Sequence, residues 1–200
     1  QMDPGTKVKR VEVSDAFASL RRVHYAWHTP AMLKDGDAEM DLVARVLGNE
    51  GTGRLYKILV HEKQLAQSVY VHQASAQFSS TLNVVVDLKP TAEMAVVEAI
   101  VNAELDTVRR EDIGDRELER AVTNIEAEYV WRLEGLNARA NLLQLYNHYT
   151  GNPDGMTKDL DRYRQSSAAK VRAAVRQYLD PQHYVEIVTL PGATGKGAGQ

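Results

Sequence analysis

The sequence QSVYVHQASAQFSSTLNVVVDL, residues 67–88, contains two runs in which apolar and polar side chains alternate. Such alternation is typical of β-strands with one buried face. The first run, Gln67–Ser75, directs Val69 and Val71 to one side. The second run, Thr81–Leu88, directs a larger apolar set to one side, namely Leu82, Val84, Val86 and Leu88. Because only a short link around Ala76-Gln77 separates the runs, they are predicted to form an antiparallel hairpin.

The same periodicity rules predict the elements outside this hairpin. Alternation predicts three more strands, at Val8–Val13, Leu20–Trp27 and Tyr184–Leu190. Apolar residues at helical spacing predict helices at Asp37–Leu47, Arg54–His61, Thr91–Val108, Asp115–Leu133, Asn137–Tyr149 and Ser166–Leu179. Strands and helices are grouped rather than alternating. The predicted fold class is therefore α+β, with a mostly antiparallel sheet of about five strands and helices packed on one face.

The 200 residues are enough for a single domain with a sizeable core. Residues 1–7 are predicted to be a tag or linker, residues 8–190 a single α+β domain, and residues 191–200 a flexible Gly-rich tail. The turn-forming cluster at residues 151–155, Gly-Asn-Pro-Asp-Gly, ends one helix without marking a domain boundary.

Charge and composition exclude several functions. The 24 basic and 27 acidic residues give a formal net charge of −3 and are interspersed, so no nucleic-acid partner is expected. The charged runs Arg109–Asp112 and Asp159–Arg162 are interpreted as solvated helix surfaces. The chain has no cysteine, which excludes thiolate chemistry, and no apolar run is long enough to span a membrane.

A search for catalytic motifs finds no catalytic residue and no metal ligand set. The pattern nearest to a zinc-binding H-E-x-x-H motif begins at His61-Glu62, but Leu65 stands where the second histidine is required. His24 and His28 lie on a predicted strand, where a four-residue spacing covers roughly 13 Å, too far for one ion. No G-x-S-x-G nucleophile motif is present.

The segment Gly48-Asn-Glu-Gly-Thr-Gly53 is the most unusual local stretch and has two interpretations. It lies between two predicted helices and matches neither a P-loop nor a dinucleotide-binding motif. In one interpretation it is a tight turn that ends the first helix. In the other it is a loop whose free backbone N–H groups face a ligand. The residues alone leave both open.

A longer pattern carries a family resemblance. Short motifs follow in a consistent order: YAWHTP at 25–30, GDAE at 36–39, LG at 47–48, GRLYK at 53–57, EKQLA at 62–66 and YLDP at 178–181. This pattern resembles the second, non-catalytic repeat domain of pitrilysin/insulinase-type zinc metallopeptidases, which include mitochondrial processing peptidase and bacterial relatives. The run from Gly48 to Ala66 is its most specific part, and the resemblance extends over roughly residues 8–190.

The resemblance implies a function for the parent protein rather than for the isolated chain. Family members pair homologous α+β domains into halves that close over a peptide, and only one type of domain carries the zinc site. The chain is therefore expected to close the peptide-binding chamber and help position substrate, with zinc held by a homologous domain in the same chain or a second subunit. The isolated chain is expected not to be an enzyme, and its parent is expected to be a zinc metalloendopeptidase. Family habit points to the bacterial periplasm.

The resemblance also assigns roles to individual residues. Gly51, Gly53 and Gln67 are substrate-binding candidates, because a glycine-rich loop binds substrate in processing peptidases and Gln67 begins a strand. The motif residues expected to be structural are Arg54, Tyr56, Gln64 and Leu65. The family's auxiliary arginine and tyrosine would fall at Val60 and Gln67, and neither residue matches. Another domain of the parent is therefore expected to supply that pair.

Two alternatives remain. The chain could belong to a scaffold or core-type subunit of a complex without peptidase activity, like the peptidase relatives in respiratory complexes. An H-x-x-E-H motif elsewhere in the parent would distinguish the enzyme from the scaffold. The chain could instead be an unrelated small-ligand module, but the sequence shows no convergent set of polar residues that predicts a pocket.

Overall fold

A computed structural model describes residues 8–192. The predicted linker at residues 1–7 and residues 193–200 of the predicted tail lie outside the described part. The strands within it are β1 (Lys9–Asp15), β2 (Arg22–Thr29), β3 (Ala66–Ala74), β4 (Ser80–Leu88) and β5 (Val185–Pro191). The helices are α1 (Asp37–Gly48), α2 (Arg54–Tyr56), α3 (Met94–Arg110), α4 (Asp115–Arg132), α5 (Leu136–Thr150), α6 (Met156–Arg164) and α7 (Ala168–Tyr178). Helix α2 continues directly into a π-helical segment, Lys57–Glu62.

The strands form one open mixed sheet in the order β1-β5-β2-β4-β3. The β1–β5 pair is parallel, and the other three pairs are antiparallel. In the β3–β4 hairpin, Val69 pairs with Val86 and Val71 pairs with Val84, so the apolar residues of both runs share a face. The predicted α+β fold, with a mostly antiparallel five-stranded sheet, is confirmed.

The core lies between one face of the sheet and the helices. Strand β2 contributes Tyr25 and Trp27, each 1% exposed, and strand β4 contributes its inward apolar residues. The helical side of this core includes Met40, Leu47, Val97, Val101, Leu105, Val171 and Val175. Burial of these side chains is the main favourable contribution to folding. Half-exposed residues such as His24 and Ala26 occupy the opposite face.

Two helical segments differ from the prediction. The sequence analysis did not predict α6, because its polar character hides a short apolar stripe made by Leu160 and Tyr163. The predicted helix Arg54–His61 is present, but most of it is π-helical. The predicted turn cluster is confirmed at its first residue, since Gly151 ends α5 with φ +73°, a conformation that favours glycine.

Strand ends also differ slightly from the prediction. Strand β1 runs on to Asp15, and β5 runs on to Pro191, the first residue of the predicted tail. The parallel register pairs Asp15 with Pro191, and the N–H of Gly192 donates to the Asp15 carbonyl at 2.7 Å. Pairing with β1 therefore extends the last strand. No helix in the described part of the chain is both long enough and apolar enough to cross a membrane.

Candidate functional site

The glycine-containing loop joins the end of α1 to α2 and closes on itself. The N–H of Gly53 donates to the Asn49 carbonyl at 2.7 Å, and the N–H of Thr52 donates to the same carbonyl at 3.2 Å. The Asn49 side-chain amide also donates to the Thr52 hydroxyl at 2.9 Å. These bonds make the segment a tight turn, which is the first of the two interpretations of this stretch.

The three glycines of the loop differ in the space that is available for a side chain. A Cβ at Gly48 would lie 2.5 Å from the Cβ of Val71, because the end of α1 packs directly on β3. A Cβ at Gly53 would lie 2.5 Å from the Asn49 nitrogen, inside the turn. Gly51 has φ +77° and would have no neighbour within 4 Å of a Cβ. Gly51 is therefore the tip of the loop and faces open space.

Arg54 joins the start of α2 to the start of α4. Its guanidinium donates two hydrogen bonds to the Glu117 carboxylate, at 2.8 and 2.6 Å. Glu117 also accepts the N–H of Gly114 at 2.9 Å, which caps α4. The paired guanidinium holds the pKa of the Glu117 carboxyl below its usual range. This half-buried, bidentate pair has the strong geometry of Arg–carboxylate interactions and holds two helix starts together.

The other motif residues shape the connection from α2 to β3. The Tyr56 ring meets the His61 ring edge-on, with centroids 5.2 Å apart. Gln64 adopts φ +52°, which turns the chain out of the π-helical segment. Leu65 then donates its N–H to the Leu59 carbonyl at 2.8 Å, and its own carbonyl accepts the Lys89 N–H at 2.9 Å.

Gln67 is exposed at the start of β3, an edge strand of the sheet. The pairing of β3 with β4 is irregular here, between Ala66 and Ser68. Among residues 8–192 no hydrogen bond joins Gln67 to Gly51 or Gly53. The substrate-binding candidates therefore occupy two separate segments, the loop between α1 and α2 and the start of β3.

The residues around His61 do not fit a zinc ion. His61 is exposed and its ring is engaged with Tyr56, while Leu65 presents an apolar side chain that packs against the core. Within residues 8–192 no group of three or more His, Asp or Glu side chains is arranged to hold a metal ion. No step of zinc chemistry is therefore assigned to these residues.

The structure also contains a polar cavity that the sequence analysis missed. It has a volume of about 180 Å³ and lies between α1, α4, α6 and the residues before α1. Asp159, only 3% exposed, accepts hydrogen bonds from the hydroxyls of Tyr129 and Tyr146 at 2.6 and 2.9 Å.

The interpretation of Asp159–Arg162 as a solvated helix surface is wrong for Asp159, because α6 turns this carboxylate inward. The spacing of Asp37 and Asp41 on α1, four residues apart, was the available signal.

One arginine joins two buried carboxylates at this cavity. Arg162 donates to Asp37 at 2.9 Å and to Asp159 at 2.9 Å. Asp37, 2% exposed, also accepts the Leu33 N–H and the Ser75 hydroxyl, at 2.9 and 2.8 Å. These bonds compensate for the burial of both carboxylates. They fasten α6 to α1 across a sequence separation of 125 residues.

Asp41 lines the same cavity with fewer partners. The Tyr163 hydroxyl donates to it at 2.8 Å, and no cation forms an ion pair with it among the described residues. Burial, together with the nearby Asp37 carboxylate, raises the pKa of Asp41 to about 7. Asp41 therefore changes its charge near neutral pH.

Comparison with known proteins identifies the family. The sequence profile described as the peptidase M16 inactive domain matches residues 2–125, more than half of the chain. The chain belongs to this family. This finding confirms the resemblance to non-catalytic domains of zinc metallopeptidases that the sequence motifs indicate.

Relatives with larger chains share the sequence or the fold. The chain is 24% identical over 129 residues to the zinc protease PqqE of Helicobacter pylori, covering 62% of this chain and 29% of that protein. The crystal structure of a protease from Helicobacter pylori is similar with a TM-score of 0.85 at 18% identity, covering 94% of this chain and 45% of that one. A chain of complex III2 from Candida albicans is similar with a TM-score of 0.78 at 11% identity, covering 91% and 45%. The chain thus spans less than half the length of these proteins.

Proposed function

We propose that this chain is an accessory, non-catalytic domain of a zinc metalloendopeptidase. It closes the peptide-binding chamber and helps position the substrate for a zinc site in a homologous companion domain, on the same chain or on a second subunit. The observation that carries the proposal is the match to the inactive-domain family. The residues around His61 do not fit a zinc ion, which agrees with a proposed zinc site in another domain of the parent.

The proposed domain consists of residues 8–190, and its contribution is positioning and exclusion of water. Gly51 and Gln67 are proposed to contact the peptide. The exposed tip at Gly51 leaves room for a peptide backbone to approach, since no atom lies within 4 Å of where its Cβ would be. Gln67 offers an exposed amide beside an irregular stretch of an edge strand. Gly53 is proposed to act indirectly, because it closes the turn that presents Gly51.

The test is reconstitution of activity. We expect the companion domain alone to cleave an unfolded peptide slowly, and addition of this chain to increase chelator-sensitive cleavage by at least tenfold. The Gln67→Ala variant should raise KM with little change in kcat, because it removes a contact made equally before and during reaction. A matched control is Gln144→Ala, which changes an exposed glutamine on α5. Stoichiometric zinc in this chain, or full activity of the companion alone, would contradict the proposal.

The alternative is a core-type subunit without peptidase activity, and the similarity to a chain of complex III2 favours it specifically. The two functions predict different parents. A parent without an H-x-x-E-H motif and without chelator-sensitive cleavage, which still assembles with a second subunit through this domain, would establish the scaffold function.

A further inference from the structure

The cavity between α1, α4 and α6 combines charged and apolar walls. Asp41 lies on one wall, and the side chains of Met32, Leu33 and Ile125 provide apolar surface beside it. The volume of about 180 Å³ is well above the roughly 10–15 Å³ that a single water requires. A side chain of four or five heavy atoms therefore fits into it.

Most of the charges that face the cavity already have partners. Arg162 of α6 is shared between Asp37 and Asp159, and Arg45 of α1 donates to Glu128 of α4 at 2.6 Å. Arg132 of α4 lies over the Tyr129 ring, with 5.6 Å between its Cζ and the ring centroid. Each of these groups is thereby held in place by the protein itself.

The number of hydrogen bonds distinguishes Asp41 from the other two aspartates. Asp37 and Asp159 each accept three hydrogen bonds, one of them from Arg162. Asp41 accepts one, from the uncharged hydroxyl of Tyr163. Within the described part of the chain, Asp41 is thus the only one of these three aspartates that forms no ion pair with an arginine.

We propose that this cavity binds the side chain of a lysine, with Asp41 as the counter-ion of its ammonium group. The aliphatic stem of such a side chain packs against Met32, Leu33 and Ile125, as basic side chains bury their methylene groups along apolar surfaces. The lining carries four carboxylates and three arginines, so with Asp41 ionised one negative charge is left to be balanced by an added cation. This inference does not require the chamber-closing role and extends to any parent of this chain.

The proposal predicts a pH dependence of binding with a definite sign. Only the ionised Asp41 carboxylate attracts a cation, and burial beside Asp37 keeps it protonated below about pH 7. The ionised fraction rises about tenfold between pH 6 and pH 8 for a group of that pKa. Binding should therefore strengthen by about tenfold over this range. The other titratable or charged groups that line the cavity are Asp37, Arg45, Glu128, Tyr129, Arg132, Asp159, Arg162 and Tyr163.

The experiment is an NMR titration of this chain with N-acetyl-lysine methylamide, alongside the isosteric norleucine derivative, which lacks the ammonium group. We expect the lysine probe to shift the amide signals of α1, α4 and α6, with an affinity about tenfold higher at pH 8 than at pH 6. The norleucine probe should cause no such shifts. Equal shifts with both probes would overturn the proposal, as would no shifts with either, since the cavity would then hold only water.

Two variants link the effect to Asp41. Asp41→Asn keeps the shape of the side chain but removes its charge, so it should abolish binding of the lysine probe. The matched control, Asp112→Asn, changes an aspartate outside the cavity and should bind as the unmodified chain does. Unchanged binding by Asp41→Asn would refute the assignment. The norleucine comparison on the unmodified chain keeps the test decisive even if that variant misfolds.

Discussion

Replacing Asp41 by asparagine is expected to stabilise the protein at neutral and alkaline pH. The raised pKa, about 7 compared with an ordinary 3.8, means that the folded state holds a proton that the unfolded state releases. The neutral form thus contributes stability that is fully present below about pH 4 and is lost as the pH rises through 7. A difference of about three pKa units corresponds to about 4 kcal/mol.

In the asparagine variant this side chain makes no pH-dependent contribution to stability, because its amide stays neutral at every pH. Its carbonyl oxygen can still accept the Tyr163 hydroxyl, so we expect a gain in the free energy of unfolding of about 2 to 4 kcal/mol at pH 8 and almost none at pH 4. Urea denaturation of both proteins from pH 4 to pH 8 measures this gain. Titration of histidines cancels in the comparison. A difference between the proteins that stays constant with pH would refute the reasoning.

Two further predictions concern the candidate site. Arg54→Ala should lower the free energy of unfolding by about 2 to 3 kcal/mol, because it leaves the half-buried Glu117 carboxylate without its bidentate partner. Arg164→Ala, in a more exposed ion pair, should cost clearly less by the same denaturant titration. Equal losses would show that geometry and burial do not set these energies. Gly48→Ala should destabilise by about 2 kcal/mol or more, because its new methyl group would overlap β3, whereas Gly51→Ala meets no neighbour and should cost about 1 kcal/mol through its backbone conformation alone. Thermal melting of the two variants measures this order, and a reversed order would contradict it.

Much of the fold could be predicted from local patterns. The hairpin of β3 and β4 follows from alternation in two adjacent runs, and the antiparallel pairing of these strands confirms it. Helix α3 was predicted with similar success, since its buried residues recur at helical spacing. Both features depend on neighbours close in the chain, so the sequence displays them directly.

The parallel pairing of β1 with β5 had no such signal, because it joins residues at opposite ends of the chain. The π-helical form of Lys57–Glu62 was not predicted either. Its apolar spacing is that of a short helix, and the difference between the two helix types lies in which carbonyl each N–H reaches. Tertiary packing, rather than local propensity, decides such details.

By itself, the amino-acid sequence determined the fold class, the order of most elements and membership of the inactive-domain family, because periodicity and motif order are properties of the chain. Only the tertiary structure decided that Asp37, Asp41 and Asp159 meet around one cavity. From its sequence alone, a charged residue is predicted to be solvent-exposed, because its distant partners are not known. Arg162, for example, donates to Asp37 across a sequence separation of 125 residues. Burial of a charge depends on this long-range pairing, which no local pattern records.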